Sequence, residues 1–252
     1  MEFLVTGASG MLGRRVAALA EERGHSVRKL SRSDRPGDGW LRGDVVSGDG
    51  LEAAGAGAEV ILHCASNPRR HRTTDIAGTR HVAATAATSG ALLVFPGIVG
   101  SDLIPLGYYR SKTRAEEVLA SSGCRFTIQR YTQFHELLWK FLDVLTRPPV
   151  VTIVPNDTRF QVLDTDVAAR LMLEAAEAGE VGRLPDVGGP TVYDAKELAQ
   201  SVSRALGRRR RVVGVNIPGV TGAAFRAGAN LTETRDHSGA TWNEFVASKL
   251  GA

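Results

Sequence analysis

The sequence predicts an α/β fold, a doubly wound parallel sheet followed by a small C-terminal α+β lobe, on three observations. A short apolar run, Phe3-Leu4-Val5, feeds glycines spaced G-x-x-G-x-x-G, and residues 14–22 then read as a helix. Further short apolar runs alternate with helical segments, the pattern of parallel strands buried on both faces. Beyond Arg147-Pro148-Pro149 this alternation gives way to shorter strands and helices. The expected division is 1–150 and 151–252, the second part returning some elements to the sheet.

Composition narrows the function classes. At 252 residues, 43% hydrophobic and 23% charged, the chain can bury a full core. A net charge of +4 is small for this length and argues against a nucleic-acid partner. The two cysteines, Cys64 and Cys124, fall in predicted strand regions without metal-ligand spacing, and read as buried free thiols. No apolar run approaches the roughly 18 residues of a membrane span. The chain opens directly on a strand, so no signal peptide is expected. The expectation is a soluble cytoplasmic protein, monomer or homodimer, with a small-molecule partner and no metal, membrane or nucleic acid.

The glycine turn carries the first functional reading. Gly7 permits a tight turn out of the strand, Gly10 lets backbone approach a phosphate, and Gly13 lets the helix pack closely on the sheet. The free N–H groups and positive dipole end of the helix suit a pyrophosphate, with Ser9, Met11 and Leu12 of the same turn as further contacts. A purely structural turn is the alternative. The position between a strand and a helix favours the Rossmann-type, dinucleotide-binding reading.

Residues 25–32 read as a second strand ending in Ser31 and Arg32. A hydroxyl and a guanidinium there, with no carboxylate, suit a 2′-phosphate and predict NADP(H) rather than NAD. Arg32 as a solvated loop residue is the alternative, and Asp34 lies nearby. A Pro/Gly/Asp loop at 35–39 precedes a short third strand, Trp40-Leu41-Arg42, whose exit carries Asp44. Asp44 is placed to reach an adenine amino group or to cap a turn. Residues 59–65 form a fourth strand ending in Ala65 and Ser66, small enough to pass beside a cofactor. The basic loop 67–72 is a solvated loop or a guard for an acidic substrate. A helix over 73–89 and a fifth strand over 91–95 follow.

Tyr108 and Lys112, four residues apart, share one face of the next helix. A lysine beside a tyrosine favours phenolate and is expected to lower the Tyr108 pKa toward neutrality, fitting proton transfer. Tyr108 as a packing tyrosine is the alternative, and Tyr109 competes for the role.

Four stretches together resemble the atypical, NmrA-like branch of the short-chain dehydrogenase/reductase superfamily: residues 6–13, 108–117, 126–134 and 162–168. They span most of the chain in the expected order. The resemblance implies that Gly7, Gly10 and Gly13 hold the pyrophosphate and Arg32 the 2′-phosphate. Lys112 would bind the nicotinamide ribose and Tyr108 would give a proton to a carbonyl oxygen as hydride arrives. Thr132, Gln133 and Phe134 would line the nicotinamide and substrate. One departure stands out: where the superfamily usually carries a Ser or Thr at the end of the fifth strand, Gly97 takes the place, with Ser101 four residues on.

In the C-terminal part, Asp164-Thr165-Asp166 and Asp194 with Glu197 mark helix starts. The run Arg208 to Arg211 follows a helix end, where cations complement the dipole and stay solvated. Trp139, Phe141, Phe225 and Trp242 are pocket walls or core. By resemblance this lobe binds substrate. The leading expectation is an NADPH-dependent oxidoreductase acting on a quinone, enone, imine or ketone. The alternatives are a non-catalytic NADP-binding redox sensor and a redox-neutral isomerase or epimerase.

Overall fold

The computed structural model describes residues 1–148 and 150–250; Pro149, at the expected boundary, lies outside the described residues. The strands are β1 (Glu2–Thr6), β2 (Ser26–Ser31), β3 (Trp40–Arg42), β4 (Val60–His63), β5 (Leu92–Ile98), β6 (Phe126–Tyr131), β7 (Val151–Pro155), β8 (Arg159–Gln161), β9 (Gly182–Arg183), β10 (Val192–Asp194) and β11 (Arg211–Val215). The helices are α1 (Met11–Glu22), α2 (Leu51–Gly55), α3 (Gly78–Ser89), α4 (Gly107–Ala120), α5 (His135–Leu145), α6 (Thr165–Glu177), α7 (Ala195–Ala205), α8 (Gly219–Arg226) and α9 (Trp242–Ser248). One π-helical turn, Arg72–Ala77, runs directly into α3.

The apolar runs become the central strands of a seven-stranded sheet ordered β3-β2-β1-β4-β5-β6-β9. β1 pairs in parallel with β2 and β4, β2 with β3, β4 with β5, and β6 with β9. Phe3, Leu4, Val5, Ile61 and Leu62 are fully buried, as strands covered on both faces require. The fold is a Rossmann-type α/β fold.

The chain divides into two compact units that interleave in sequence. The first comprises 1–97, 107–130 and 168–185; the second comprises 98–106, 131–167 and 186–250 among the described residues. The division therefore does not fall at one point near residue 150. The seventh strand, β9, comes from after that point, because a strand pairing with the edge of β6 can be supplied by any later segment that reaches it. The first unit's core joins Leu4, Ile61, Val82, Leu93, Phe95 and Leu119. The second unit holds the parallel pair β7–β11 and the antiparallel pair β8–β10. Its core joins Leu138, Leu142, Leu198, Val202 and Trp242.

Several expectations are corrected. β5 runs on to Ile98, so Pro96 and Gly97 lie inside the strand rather than after it. β4 stops at His63, leaving half-buried Cys64 one residue beyond it, and Cys124 lies before β6; neither thiol is in a strand, and both are free. The helix expected over 73–89 opens as the π-helical turn. Arg208 is not simply solvated: its guanidinium donates to Asp143 Oδ1 at 2.7 Å and Thr146 Oγ1 at 2.7 Å. Hydrogen bonds from Arg147 and Arg208 hold the Asp143 carboxyl below its ordinary range. Of the aromatics, Trp242 is core, Trp139 packs against it and Phe225 is buried, while Phe141 is 57% exposed. Among the described residues no helix is long and apolar enough to cross a membrane.

Candidate active site

The C-terminal ends of β1, β2, β3 and β4 open onto one cleft of about 470 Å³, within the usual size of a small-molecule site. Chain order runs outward from β1 through β2 to β3 on one side and resumes at β4 on the other. The cleft thus lies at the switch point where α/β sheets bind ligands.

Gly7, Ser9 and Gly10 form its floor. Gly7 sits at φ +65°, and a Cβ there would lie 2.6 Å from Ala65 N. A Cβ on Gly13 would lie 2.2 Å from Gly7 O, so helix α1 can approach the turn only as glycine. Gly10 N donates to Gly7 O at 2.8 Å and closes the turn. Met11, Leu12 and Gly13 then open α1, and their N–H groups have no acceptor within the helix.

The β2 exit contributes Ser31, Arg32, Ser33 and Arg35 to the cleft wall. Sequence reasoning missed Arg35. Its Nε donates to Ser31 Oγ at 3.1 Å, and its guanidinium lies 5.1 Å over the Trp40 ring, which fixes it beside Arg32. Asp34 does not line the cleft; its carboxylate faces Arg42 at 3.9 Å, both exposed. Asp44 lines the cleft and also accepts from Val46 N at 2.9 Å, so a turn role is present.

The β4 exit supplies Cys64, Ala65, Ser66 and Asn67. Burial pushes the Cys64 thiol up to about 12, which removes it as a nucleophile. Behind this wall lies a buried polar network. Asp75, fully buried on the π-helical turn, accepts from Ser66 Oγ at 2.6 Å and Asn67 N at 3.3 Å. Lys112 Nζ stands 3.7 Å from Asp75 Oδ1 and 4.2 Å from the centre of the Phe95 ring. Because the Ser66 proton goes to Asp75, the Tyr108 hydroxyl donates to Ser66 Oγ, at 2.8 Å. Beneath them His63 bridges Thr6 Oγ1 at 2.7 Å and Thr79 Oγ1 at 3.0 Å. Thr79 donates to Asp75 O, so His63 Nε2 carries the proton and Nδ1 accepts from Thr6.

This geometry reverses the expected effect of Lys112 on Tyr108. Burial and the Asp75 charge push the Tyr108 phenol up to about 12. Lys112 is committed to Asp75, so Tyr108 keeps its proton at neutral pH. Gly97 also differs from expectation. A Cβ there would lie 2.6 Å from both Arg130 Cγ and Glu116 Oε1, facing a buried ion pair whose Nη2–Oε2 distance is 2.7 Å. A serine hydroxyl at this position would strike that pair. Thr132, Gln133 and Phe134 belong to the second unit. Thr132 is buried with N donating to Val187 O at 3.0 Å and Oγ1 without a partner, and Phe134 bridges Leu163. Ser101 is buried in the same unit.

A family model described as NAD(P)H-binding matches residues 7–136, just over half of the chain. The chain belongs to the NAD(P)H-binding family. Its fold is shared by a solved short-chain dehydrogenase/reductase superfamily protein of Agrobacterium tumefaciens, with a TM-score of 0.74 at 18% identity, covering 100% of this chain and 96% of that one. An uncharacterized protein of Mycobacterium tuberculosis is 30% identical over 82% of this chain, and the chain spans only 23% of that relative's length. A Streptomyces griseus (4-alkanoyl-5-oxo-2,5-dihydrofuran-3-yl)methyl phosphate reductase is 28% identical over 82% of this chain and 75% of its own. The solved Escherichia coli NADPH-dependent quinone oxidoreductase QOR2, complexed with NADPH, superposes with a TM-score of 0.79 at 18% identity, covering 98% of this chain and 99% of that one. The residues of the cleft fit this family's ligand: the glycines let the turn, β4 and α1 pack closely enough to present the helix N–H groups to a phosphate, and the β2 exit offers guanidinium groups.

Proposed function

We propose that the protein is an NADPH-dependent reductase of a small organic acceptor, a quinone, enone, imine or ketone. The observation that carries this reading is one cleft joining the glycine floor, the Ser31–Arg32–Arg35 cluster and, on its far wall, Ser66 bearing the Tyr108 hydroxyl. The N–H groups opening α1 hold the pyrophosphate. Arg32 and Arg35 clasp the 2′-phosphate, with Trp40 and Ser31 keeping Arg35 in place. When bound, NADPH supplies a hydride, two electrons with one hydrogen, to the acceptor carbon. Tyr108, protonated at neutral pH, gives the accompanying proton to the acceptor oxygen or nitrogen, leaving reduced acceptor and a phenolate that regains its proton from solvent.

NADPH oxidation against a panel of quinones, enones, imines and ketones tests this reading, with binding titrated alongside. Tyr108→Phe is expected to cut turnover by roughly 10²-fold or more with NADPH affinity nearly intact; unchanged turnover would remove Tyr108 from the reaction. Arg32→Ala and Arg35→Ala are each expected to weaken NADPH roughly tenfold while leaving NADH little changed. Equal losses for both nucleotides would sink the 2′-phosphate assignment.

A further inference from the structure

The path from Tyr108 to Lys112 is not direct. It runs Tyr108 Oη to Ser66 Oγ (2.8 Å), Ser66 Oγ to Asp75 Oδ1 (2.6 Å), and Asp75 Oδ1 to Lys112 Nζ (3.7 Å). Asp75 touches neither the cleft nor solvent, yet a buried carboxylate is costly unless several groups satisfy it. Here its partners are the loop that walls the cleft, Ser66 and Asn67, and the lysine of α4. It therefore ties the β4 exit and the tyrosine helix to one carboxylate.

We propose that Asp75 is a positioning residue of the reductase: through Ser66 it orients the Tyr108 hydroxyl at the cleft wall, and through Lys112 it anchors the helix carrying that tyrosine. This rests on the reductase reading of the cleft. The bond direction matters. Because Asp75 accepts the only Ser66 proton, Ser66 presents a lone pair to Tyr108, so the phenol proton points at a fixed spot. The hydroxyl is thereby held at one place on the cleft wall before an acceptor arrives.

The same carboxylate acts on charge. Beyond burial, Asp75 is the largest influence raising Tyr108. Other charged or titratable groups face this network: Lys112 and Glu116 from α4, His63 and Cys64 from β4 and its exit, and His71, whose ring is 6.3 Å from that of Tyr108. Burial keeps His63 neutral and the Cys64 thiol protonated, and Asp75 is the charged group that acts on Tyr108.

The test uses the intact protein labelled with ¹³C at the tyrosine ring carbon bearing oxygen, with Tyr108→Phe identifying the Tyr108 resonance. It reads Tyr108 titration and requires no turnover, so a missing acceptor cannot mimic failure. Asp75→Asn is expected to lower the Tyr108 midpoint by about one pH unit, a tenfold gain in acidity. Ser66→Ala, at an exposed position, is expected to shift the neutral-state resonance, because the phenol loses the acceptor that orients it. It is also expected to lower kcat several-fold with the NADPH dissociation constant unchanged. Should Asp75→Asn fail to fold, because Lys112 loses its counter-charge, Ser66→Ala alone decides. A neutral-state Tyr108 resonance unmoved by Ser66→Ala overturns the proposal. Turnover absent in the parent protein with the resonance shifts present would instead sink the reductase reading alone.

Discussion

Gly97 shows how much a single missing side chain can be misread. Its position in sequence invites the idea that a hydroxyl has been lost from the active site, yet its open side faces the Arg130–Glu116 ion pair. Gly97→Ser is expected to destabilise the protein by roughly 1–3 kcal/mol through overpacking, read by urea denaturation, with no gain in turnover. Restored or raised activity in that variant would contradict the placement. Other residues were legible because their signal is local: Gly7, Gly10 and Gly13 are spaced along a turn, and Tyr108 and Lys112 along one helix face. Arg35 and Asp75 carried no such signal, and Ser66 only that of a small residue beside a cofactor. Arg35 matters through a ring at Trp40 and a hydroxyl at Ser31, and Asp75 through partners 9 and 37 positions away, at Ser66 and Lys112.

At the scale of elements, the apolar runs disclosed which strands exist, while their ends were set by contacts that no run records. β5 extends through Pro96 and Gly97, and the helix after the basic loop opens with a wider turn that swings Asp75 inward. Helix caps were the most legible signals. Asp194 and Glu197 form a reciprocal capping box on α7, with Lys196 N donating to Asp194 Oδ1 at 2.8 Å and Asp194 N to Glu197 Oε2 at 2.9 Å. Asp194→Ala is expected to cost about 1 kcal/mol, measured as a lower urea midpoint at unchanged slope. No loss would mean that packing of the α7 face that carries Leu198 and Val202, rather than its cap, sets the stability of this helix.

For the whole molecule, the buried histidine beneath the network governs acid behaviour. Burial, aided by Lys112, holds His63 down at about 3, against an unfolded value of 6.5. The unfolded chain therefore binds the proton first, and stability present above pH 6.5 drains as pH falls from there toward 3. The expected slope is about 1.4 kcal/mol per pH unit for this one group, and His135, lowered by burial as well, adds in the same direction. Urea denaturation at several pH values from neutral downward, repeated in His63→Gln, measures it; a slope identical in the variant would remove His63 as a cause. Which later segment returns to the sheet was not legible, because β9 is two residues long and carries no apolar run. That late strand has a consequence for birth rather than for the finished molecule. The outer edge of β6 is synthesised by residue 131, but Gly182 and Arg183, which cover it, leave the ribosome only after about 50 further residues, several seconds at ordinary elongation rates. During that interval the nascent sheet presents a bare, adhesive margin.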